Sequence, residues 1–203
     1  METEKIYEFL ANVFAKEPTG EFLRTLQEQG KEAFKAFKID PSAGITHLSR
    51  KEQAELLAVE YAGLFLMPGA STLPRESLQR GEGRLWGSST VEVNNLYKKF
   101  GFELDESFHD TPDHLSVELV FLAKLSGLEA EYSDKSLSEA KKGVLEVKKY
   151  FLKNHLLKWF PRFKDEVALR AEYSYYKEIT RLLGMVLDDE WEELKNIKEE
   201  INV

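Results

Sequence analysis

Apolar residues recur along most of the chain at the three- and four-residue spacing of an amphipathic helix. The first segment shows the pattern clearly and stops before Glu17-Pro18; its apolar positions are Ile6, Phe9, Leu10, Val13 and Phe14. Short β-like runs such as 102–104 have no partner run joined to them by a hairpin turn. The pattern therefore predicts an all-α protein with roughly eight to ten helices.

Other apolar stretches suggest where helices end. The helix that begins with the pattern at 22–26 is predicted to end near Gly30, because glycine accepts the positive φ found at helix C-termini. A separate short helical piece is then expected at 33–37. Towards the C-terminus, a long helix is predicted over about 165–187, followed by a charged terminal helix capped at 188–189.

The Ser-x-x-Glu spacing of a capping box occurs at 49–52, 89–92 and 136–139, and each occurrence predicts the start of a helix. The helix opened at 49 should extend through Leu64-Phe65 and end before Pro68-Gly69.

A further helix is predicted to begin at Thr111. Its hydroxyl suits the N-cap, Pro112 suits the first helical position, and the Asp113 carboxylate is favourable at the positive end of the helix dipole. The following residues, 115–125, are apolar on almost every face. This helix should therefore lie at the centre of the fold.

Between two predicted helices, residues 70–88 contain Pro74 and several glycines and predict an ordered but irregular loop. Loops of this length are uncommon inside compact domains and often carry function.

Composition narrows the class of protein. The chain has 203 residues, 42% of them hydrophobic, a formal net charge of −8 and no cysteine. An acidic balance argues against nucleic-acid binding, and the lack of cysteine excludes disulfides, thiolate catalysis and cysteine-ligated metals. The acidic N-terminus and the lack of a long apolar run argue against secretion and membrane insertion, so a cytoplasmic location is expected.

Reactive side chains are densest between His109 and Glu118. His114 and Glu118 are four residues apart, so a helix would place both on one face, and His109, Asp110 and Asp113 are further nitrogen and oxygen ligands. A metal-dependent hydrolase built on these five residues is the enzymatic alternative. The simpler interpretation gives Asp113 a role at a helix start and His114 a nearby hydrogen bond, with no metal.

A second candidate pair, His155 and Trp159, also lies at helical spacing. A large indole at such a position more often packs in a core than forms a binding site. No Gly-x-Ser-x-Gly motif for nucleophilic catalysis and no phosphate-binding loop is present.

Five segments, taken together and in this order, resemble the TorD-like (DmsD) family of redox-enzyme maturation chaperones. The most distinctive is Pro112-Asp113-His114, which is similar to the family's Asp-His signature, although Thr111 stands where an acidic residue often precedes it. The others are Glu60 to Pro68, Pro74-Arg75-Glu76-Ser77, the Trp86 segment leading to Phe102, and His155-Leu156 with Trp159, Pro161 and Phe163.

The resemblance implies one helical domain over 1–203, in two unequal parts of about 1–130 and 136–203. It also implies a non-enzymatic chaperone that binds the twin-arginine leader of a molybdopterin-dependent oxidoreductase subunit and assists cofactor insertion before export. No motif for binding a nucleotide or the molybdenum cofactor is visible in the sequence, so no cofactor of the chaperone's own is expected. The resemblance is compatible with a monomer or a domain-swapped dimer. The implied leader-binding residues are Asp113, His114, Glu118, Trp86, Gly87, Tyr97, Gly101, Tyr61, Leu64 and Phe65.

Physical chemistry adds an expectation about orientation. A leader with two guanidinium groups and an apolar stretch suits carboxylates beside an aromatic groove, so Asp113 and His114 should face such a groove. A helical adaptor without a peptide groove is the third alternative.

Overall fold

The computed structural model describes residues 3–104 and 110–197 of the chain. Within these residues the regular secondary structure is helical, and one isolated antiparallel bridge joins Arg75 to His114. The predicted all-α fold class is confirmed. In the same part of the chain, no helix has both the length and the apolar character needed to cross a bilayer.

Nine α-helical and two π-helical segments follow one another in the described residues. They are α1 (Thr3–Ala15), α2 (Gly20–Ala36), α3 (Arg50–Tyr61), π1 (Ala62–Leu66), α4 (Glu76–Gln79), α5 (Ser88–Lys99), α6 (Leu115–Asp134), α7 (Ser138–Phe151), π2 (Leu152–Leu156), α8 (Leu157–Arg170) and α9 (Ser174–Leu194).

Helix α6 occupies the centre, as its apolar sequence predicts. Most of its first twelve residues are buried, and α1 and α7 pack against it. The ring of Phe65 on π1 contacts those of Phe14 on α1 and Tyr176 on α9, with centroid distances of 6.0 and 5.2 Å. Burial of these large rings contributes to the stability of the fold.

A buried ionic cluster joins the C-terminal helices to the rest. Lys148 on α7 is almost inaccessible to solvent, and its ammonium pairs with Glu190 on α9 and with Glu129 on α6. The hydroxyl of Tyr7 on α1 donates to the same Glu190 carboxylate at 3.3 Å. Four helices therefore meet at one charged group, which is tolerated in the interior because it is paired.

Of the three predicted capping boxes, one forms. Ser49 accepts from the backbone of Glu52, and the Glu52 carboxylate accepts from the Ser49 amide. The box at 89–92 is wrong, because α5 begins at Ser88 and the carboxylate of Glu82 accepts the Ser89 amide at 3.1 Å. The box at 136–139 is also wrong, because α7 starts after Leu137 without a side-chain cap.

Two predicted helix ends are also wrong. Helix α2 continues through Gly30 to Ala36, and the missing Cβ of Gly30 makes room for the ring of Phe34 one turn later. The long helix expected over 165–187 is interrupted after Arg170, and α9 then continues past 188–189 to Leu194.

Candidate functional site

The segment that carries the family signature forms a turn rather than the first turn of a helix. His114, not Thr111, is the N-cap of α6, and its Nδ1 atom accepts from the backbone amide of Ser116 at 3.2 Å. The predicted helix start at Thr111 is therefore wrong. The reason is tertiary, since the backbone of 113–115 is engaged by another part of the chain.

That other part is the segment 74–77. The amide of Leu115 donates to the carbonyl of Pro74 at 2.8 Å, and the amide of Glu76 donates to the carbonyl of Asp113 at 3.0 Å. These bonds hold the first turn of α4 against the signature turn. Two sequence segments that resemble the family are thus joined backbone to backbone.

The side chain of Asp113 strengthens this junction. Its carboxylate is completely buried, and Oδ2 accepts the amide of Ser77 at 2.8 Å. Oδ1 has no hydrogen-bond partner, and neither has the hydroxyl of Ser77. Asp113 thereby satisfies an N-terminal amide of the short helix α4, an arrangement favoured by the partial positive charge there.

Glu118 lies one turn further along α6 and is also completely buried. Its Oε2 atom accepts the indole N–H of Trp159 at 3.3 Å. Burial, the charges of Glu76 and Asp113, and a hydrogen bond with Glu76 raise the pKa of Glu118 well above its usual value. A raised pKa favours the neutral acid form of Glu118.

Glu76 is the third buried carboxylate of this cluster, and it is bonded to Arg80 and to His155. Its Oε1 atom lies 2.7 Å from Nη1 of Arg80, and its Oε2 atom lies 3.0 Å from Nδ1 of His155. His155 and Trp159 are both buried, as the core interpretation of this pair predicted. His155 also bonds to Glu76 and Trp159 to Glu118, a role that the interpretation of the pair as core residues did not include.

At the edge of the cluster, Arg75 forms a bidentate pair with Asp110, with Nε–Oδ1 and Nη2–Oδ2 distances of 2.8 and 2.6 Å. The hydrogen bond from Arg75 keeps the pKa of Asp110 low, although burial acts to raise it. His114 is 5% exposed, and burial lowers its pKa to about 4. The imidazole is therefore neutral at physiological pH, as its role as an N-cap acceptor requires.

The expectation that Asp113 and His114 face a groove is wrong. Both are buried, and so is Glu118, because their polar atoms bind a backbone amide, a helix N-terminus and an indole inside the protein. No metal-binding group of three or more ligands forms among the described residues. Asp110, Asp113, His114 and Glu118 therefore do not assemble the alternative metal site, and His109 lies outside the described residues.

A groove does lie nearby, which we call the acidic groove. It has a volume of about 530 Å³ and runs between α3–π1, the loop 70–72 and the turn from α8 to α9. Its lining residues are Leu56, Val59, Glu60, Gly63, Leu64, Ala70, Ser71, Thr72, Arg170, Glu172 and Tyr173. The lining combines apolar side chains with two carboxylates, Glu60 on α3 and Glu172 in the turn from α8 to α9.

Glu60 connects the two sides of the acidic groove. Its Oε1 atom accepts the consecutive amides of Glu172 and Tyr173 at 2.6 and 2.9 Å, while Oε2 has no partner. Burial raises the pKa of Glu60. The Nε atom of Arg170 lies 2.9 Å from Oε2 of Glu166, so this guanidinium is paired outside the lining of the groove. The two carboxyl groups that line the groove belong to Glu60 and exposed Glu172.

The buried cluster supports one wall of this groove. Gln79, at the end of α4, donates from Nε2 to the carbonyls of Ser71 and Leu73 at 2.7 and 2.9 Å. The hydroxyl of Thr72 donates to the carbonyl of Leu64 on π1. Asp113 fixes the start of α4 and Gln79 at its end fixes the loop, so the signature residues reach the groove indirectly.

The other implied site residues are dispersed. Leu64 lines the acidic groove, whereas Tyr61 and Phe65 lie in the core. Tyr97 is buried, and its hydroxyl donates to the carbonyl of Pro112 at 3.2 Å, which ties α5 to the signature turn. Gly101 adopts a φ of 67° just after α5 ends, a conformation that suits glycine.

Trp86 is the exception, because it is exposed to 56% and has a φ of 60°. Gly87 follows it at the N-cap of α5, where a Cβ would collide with the Glu82 carboxylate. A positive φ is strained for a tryptophan, so the loop must hold Trp86 outward at some cost.

Sequence reasoning missed the roles of Glu76, Gln79 and Glu172. Glu76 stands in the Pro-Arg-Glu-Ser segment that carried part of the resemblance, so that motif was a usable signal. Gln79 acts on carbonyls six and eight residues earlier in an irregular loop, and the amide of Glu172 is bound by a residue 112 positions away, so neither role follows a helical or strand spacing.

Known proteins resemble this chain in sequence and in fold. The family model described as nitrate reductase delta subunit matches residues 15–165. Two relatives named "Chaperone protein TorD", from Photobacterium profundum and Vibrio parahaemolyticus, are 29% and 28% identical over 196 and 193 residues. Each alignment covers 88% of both chains.

A third protein of the same name, from Aeromonas salmonicida, is 34% identical over 142 residues, covering 69% of this chain and 61% of its own. Among solved structures, a protein from Archaeoglobus fulgidus assigned to redox enzyme maturation matches with a TM-score of 0.55 and 22% identity. The match covers 93% of this chain and 94% of the other, and it supports the fold.

Proposed function

The chain belongs to the nitrate reductase delta subunit family and is a TorD-like chaperone rather than an enzyme, and on that premise we propose that it binds a twin-arginine leader in the acidic groove. The leader would belong to a molybdopterin-dependent oxidoreductase subunit. Binding would take place in the cytoplasm, before export, and would hold the subunit while its cofactor is inserted.

The observation that carries this proposal is the chemistry of the acidic groove. A twin-arginine leader presents two guanidinium groups followed by an apolar stretch. Exposed Glu172 is suited to accept charge-assisted hydrogen bonds, the carboxyl of Glu60 lies behind it, and Val59 and Leu64 offer apolar contact beside them. The volume of about 530 Å³ accommodates several side chains.

In this proposal Asp113, His114 and Glu118 act as supports instead of as direct contacts. They fix α4, and α4 fixes the loop 70–72 that forms one wall of the groove. Substituting these buried residues should weaken leader binding by displacing the wall. Trp86 does not line the acidic groove, but we include it in the proposal as a further contact for the leader, because its indole is exposed.

The test uses a synthetic peptide with two consecutive arginines followed by an apolar stretch, and a second peptide with glutamine at both arginine positions. Calorimetry should show binding of the arginine peptide and at least tenfold weaker binding of the glutamine peptide. Glu60→Gln keeps the acceptor for both amides but removes the charge, so it should weaken the arginine peptide about tenfold.

Two further variants make the test specific. Gly63 lines the groove and has no atom within 4 Å of a Cβ built there, so Gly63→Trp should fill the groove without disturbing the fold. Glu55→Gln is the matched control, since Glu55 is on the same helix, exposed, and paired with Lys51. Equal arginine-peptide affinities for the wild type, Glu60→Gln and Gly63→Trp would show that the leader does not bind there.

A further inference from the structure

A small pocket lies between α2, α3, the loop 39–45 and Tyr175 on α9, outside the segments that resemble the family. Its volume is about 170 Å³. A cavity of roughly 150 Å³ with apolar walls holds one benzene molecule. This pocket, which we call the α2–α3 pocket, therefore has room for a single ring with a small substituent.

The deep walls of the α2–α3 pocket are apolar. Leu26 on α2, Ile45 in the loop and Leu57 on α3 line it, and all three are buried. Its charged lining residues, Lys31 and Asp40, are exposed and therefore belong to the rim. An apolar ligand would gain free energy by leaving water for these walls, whereas a charged ligand would lose its hydration there.

Hydrogen bonds hold the loop side of the pocket in place. Gln53 on α3 donates from Nε2 to the carbonyls of Ile45 and Leu48 at 3.0 and 3.1 Å. The carboxylate of Asp40 accepts the amide and the hydroxyl of Ser42 at 3.1 and 2.8 Å. The pocket is thus built into the fold, so a ligand would not have to order this loop.

One polar atom in the lining has no partner. Tyr175 is 2% exposed, and its hydroxyl makes no hydrogen bond with a described residue. Burial raises the pKa of Tyr175, so the hydroxyl keeps its proton and can donate. The buried hydroxyls of Tyr61 and Tyr176, by contrast, donate to the carbonyls of Phe14 and Leu57. An unpaired buried hydroxyl is unfavourable, and an acceptor on a ligand would satisfy it.

We propose that the α2–α3 pocket binds a small uncharged molecule with one apolar ring and one hydrogen-bond acceptor. The ring would pack against Leu26 and Leu57, and the acceptor would receive the hydroxyl of Tyr175. No residue lines both this pocket and the acidic groove, so the proposal does not rest on the function proposed for that groove.

A free molecule suits this pocket better than a side chain of a partner protein. Anchor side chains usually enter at the apolar centre of an interface. The rim of this pocket is instead polar, with exposed Gln27, Lys31 and Asp40. None of the large apolar residues that are exposed in the described part of the chain lines it.

The experiment titrates the full-length, nitrogen-15-labelled protein with three probes and follows its NMR spectrum. Phenol carries a ring and an acceptor, toluene has nearly the same size without hydrogen bonding, and N-acetyl-tyrosinamide presents the phenol ring on a peptide. Phenol and toluene should bind saturably and shift the amide signals of 39–45. N-acetyl-tyrosinamide should bind about tenfold more weakly than phenol, or less, because the polar rim does not accommodate its backbone.

Tyr175→Phe removes the hydroxyl and keeps the ring. The ratio of phenol affinity to toluene affinity should fall about fivefold, since phenol alone loses a hydrogen bond. The melting temperature of the free protein should not fall, because the hydroxyl has no partner to lose. Tyr132→Phe is the matched control, since Tyr132 is partly buried on α6 and does not line the pocket, and it should keep the wild-type ratio.

Leu26→Phe should fill the pocket and weaken both phenol and toluene about tenfold. If this variant does not fold, Tyr175→Phe still decides the question. An unchanged affinity ratio in Tyr175→Phe would overturn the proposal. So would the lack of saturable binding by phenol and toluene, which would leave water as the occupant, or tyrosinamide binding as tight as that of phenol, which would assign the pocket to a protein side chain.

Discussion

The carboxylate of Asp113 accepts the backbone amide of Ser77 at 2.8 Å, across 36 residues of sequence. Both residues are completely buried. The bond joins the signature turn to the first turn of α4, so Asp113 supports the neighbouring loop from inside the protein. Its role can be separated from direct peptide binding by two substitutions that differ in what they remove.

Asp113→Ala should destabilise the protein by about 1–3 kcal/mol, because it leaves the buried amide of Ser77 without an acceptor. Asp113→Asn keeps an acceptor oxygen and should cost less. Urea denaturation measures both effects. If Asp113 acts only as a support, Asp113→Asn should also retain leader-peptide affinity to about twofold, whereas a direct charge contact would lose tenfold or more.

Glu118→Gln should make the protein less sensitive to alkaline pH. The folded-state pKa of Glu118 is raised by burial and by the charges of Glu76 and Asp113, so the folded protein holds a proton that the unfolded chain releases. This contribution is complete below the unfolded pKa, near 4.5, and is lost as pH rises through the folded pKa. Glutamine mimics the neutral acid and has no such loss.

The measurement is the melting temperature of the wild type and of Glu118→Gln between pH 5 and pH 9. As pH rises, the unfolding free energy of the variant relative to that of the wild type should increase, by at most about 1.4 kcal/mol per pH unit. Glu55→Gln, at an exposed position, should follow the wild type. A constant difference across this range would mean that Glu118 is ionised in the folded protein.

His114→Asn should flatten the acid limb of the stability curve. Burial lowers the pKa of His114 to about 4, so between that value and the unfolded value of 6.5 the unfolded chain binds the extra proton. Stability from the neutral imidazole is therefore full above 6.5 and is lost as pH falls towards 4. Asparagine is a good N-cap that does not titrate, so it should retain the cap of α6.

The difference in unfolding free energy between the wild type and His114→Asn should change by roughly 3 kcal/mol between pH 7 and pH 4. Urea titrations at these two values suffice. A His114→Asn protein that loses stability with acid as steeply as the wild type would show that other groups control this limb.

Gly143→Ala and Gly87→Ala should have opposite effects. A Cβ at Gly143 meets nothing within 4 Å, so alanine there should stabilise the protein by about 0.5–1 kcal/mol through its helix propensity. A Cβ at Gly87 collides with the carboxylate of Glu82, which accepts the Ser89 amide at the start of α5. Displacing it should cost about 1 kcal/mol.

Thermal denaturation of the two variants beside the wild type checks this pair. Gly87→Ala should reduce the stability of the Glu82→Ala protein by less than it reduces the stability of the wild type, because Glu82→Ala has already removed the cap. Equal stabilisation by both single alanines would contradict the role of Glu82 as the cap of α5.

Interactions between residues close in sequence could be predicted, and those between distant segments could not. The capping box at Ser49 involves Glu52, three residues away, so its spacing was sufficient. The same spacing at Ser89 gave a wrong prediction, because α5 begins at Ser88 and the carboxylate of Glu82 accepts the Ser89 amide. The N-cap of α6 moved from Thr111 to His114 because the backbone of 113–115 binds the segment 74–77.

The burial of three acids was the larger surprise. Asp113 and Glu118 were expected at a groove because the family resemblance implies a leader-binding surface there and because carboxylates suit an arginine-bearing peptide. Their burial depends on Ser77, Glu76 and Trp159, which lie 36 to 42 residues away in sequence. Nothing in the local sequence indicates that these residues come together. The resemblance identified the relevant segments but not which of their side chains reach the surface.

The amides of Glu172 and Tyr173 donate to Glu60 across 112 and 113 residues of sequence, and these two bonds join the sides of the acidic groove. During synthesis, α3 leaves the ribosome long before the turn from α8 to α9 exists. A nascent chain that ends anywhere before Glu172 therefore has only one side of this groove. The site proposed for the leader is therefore complete only late in translation, when nearly the whole chain has emerged.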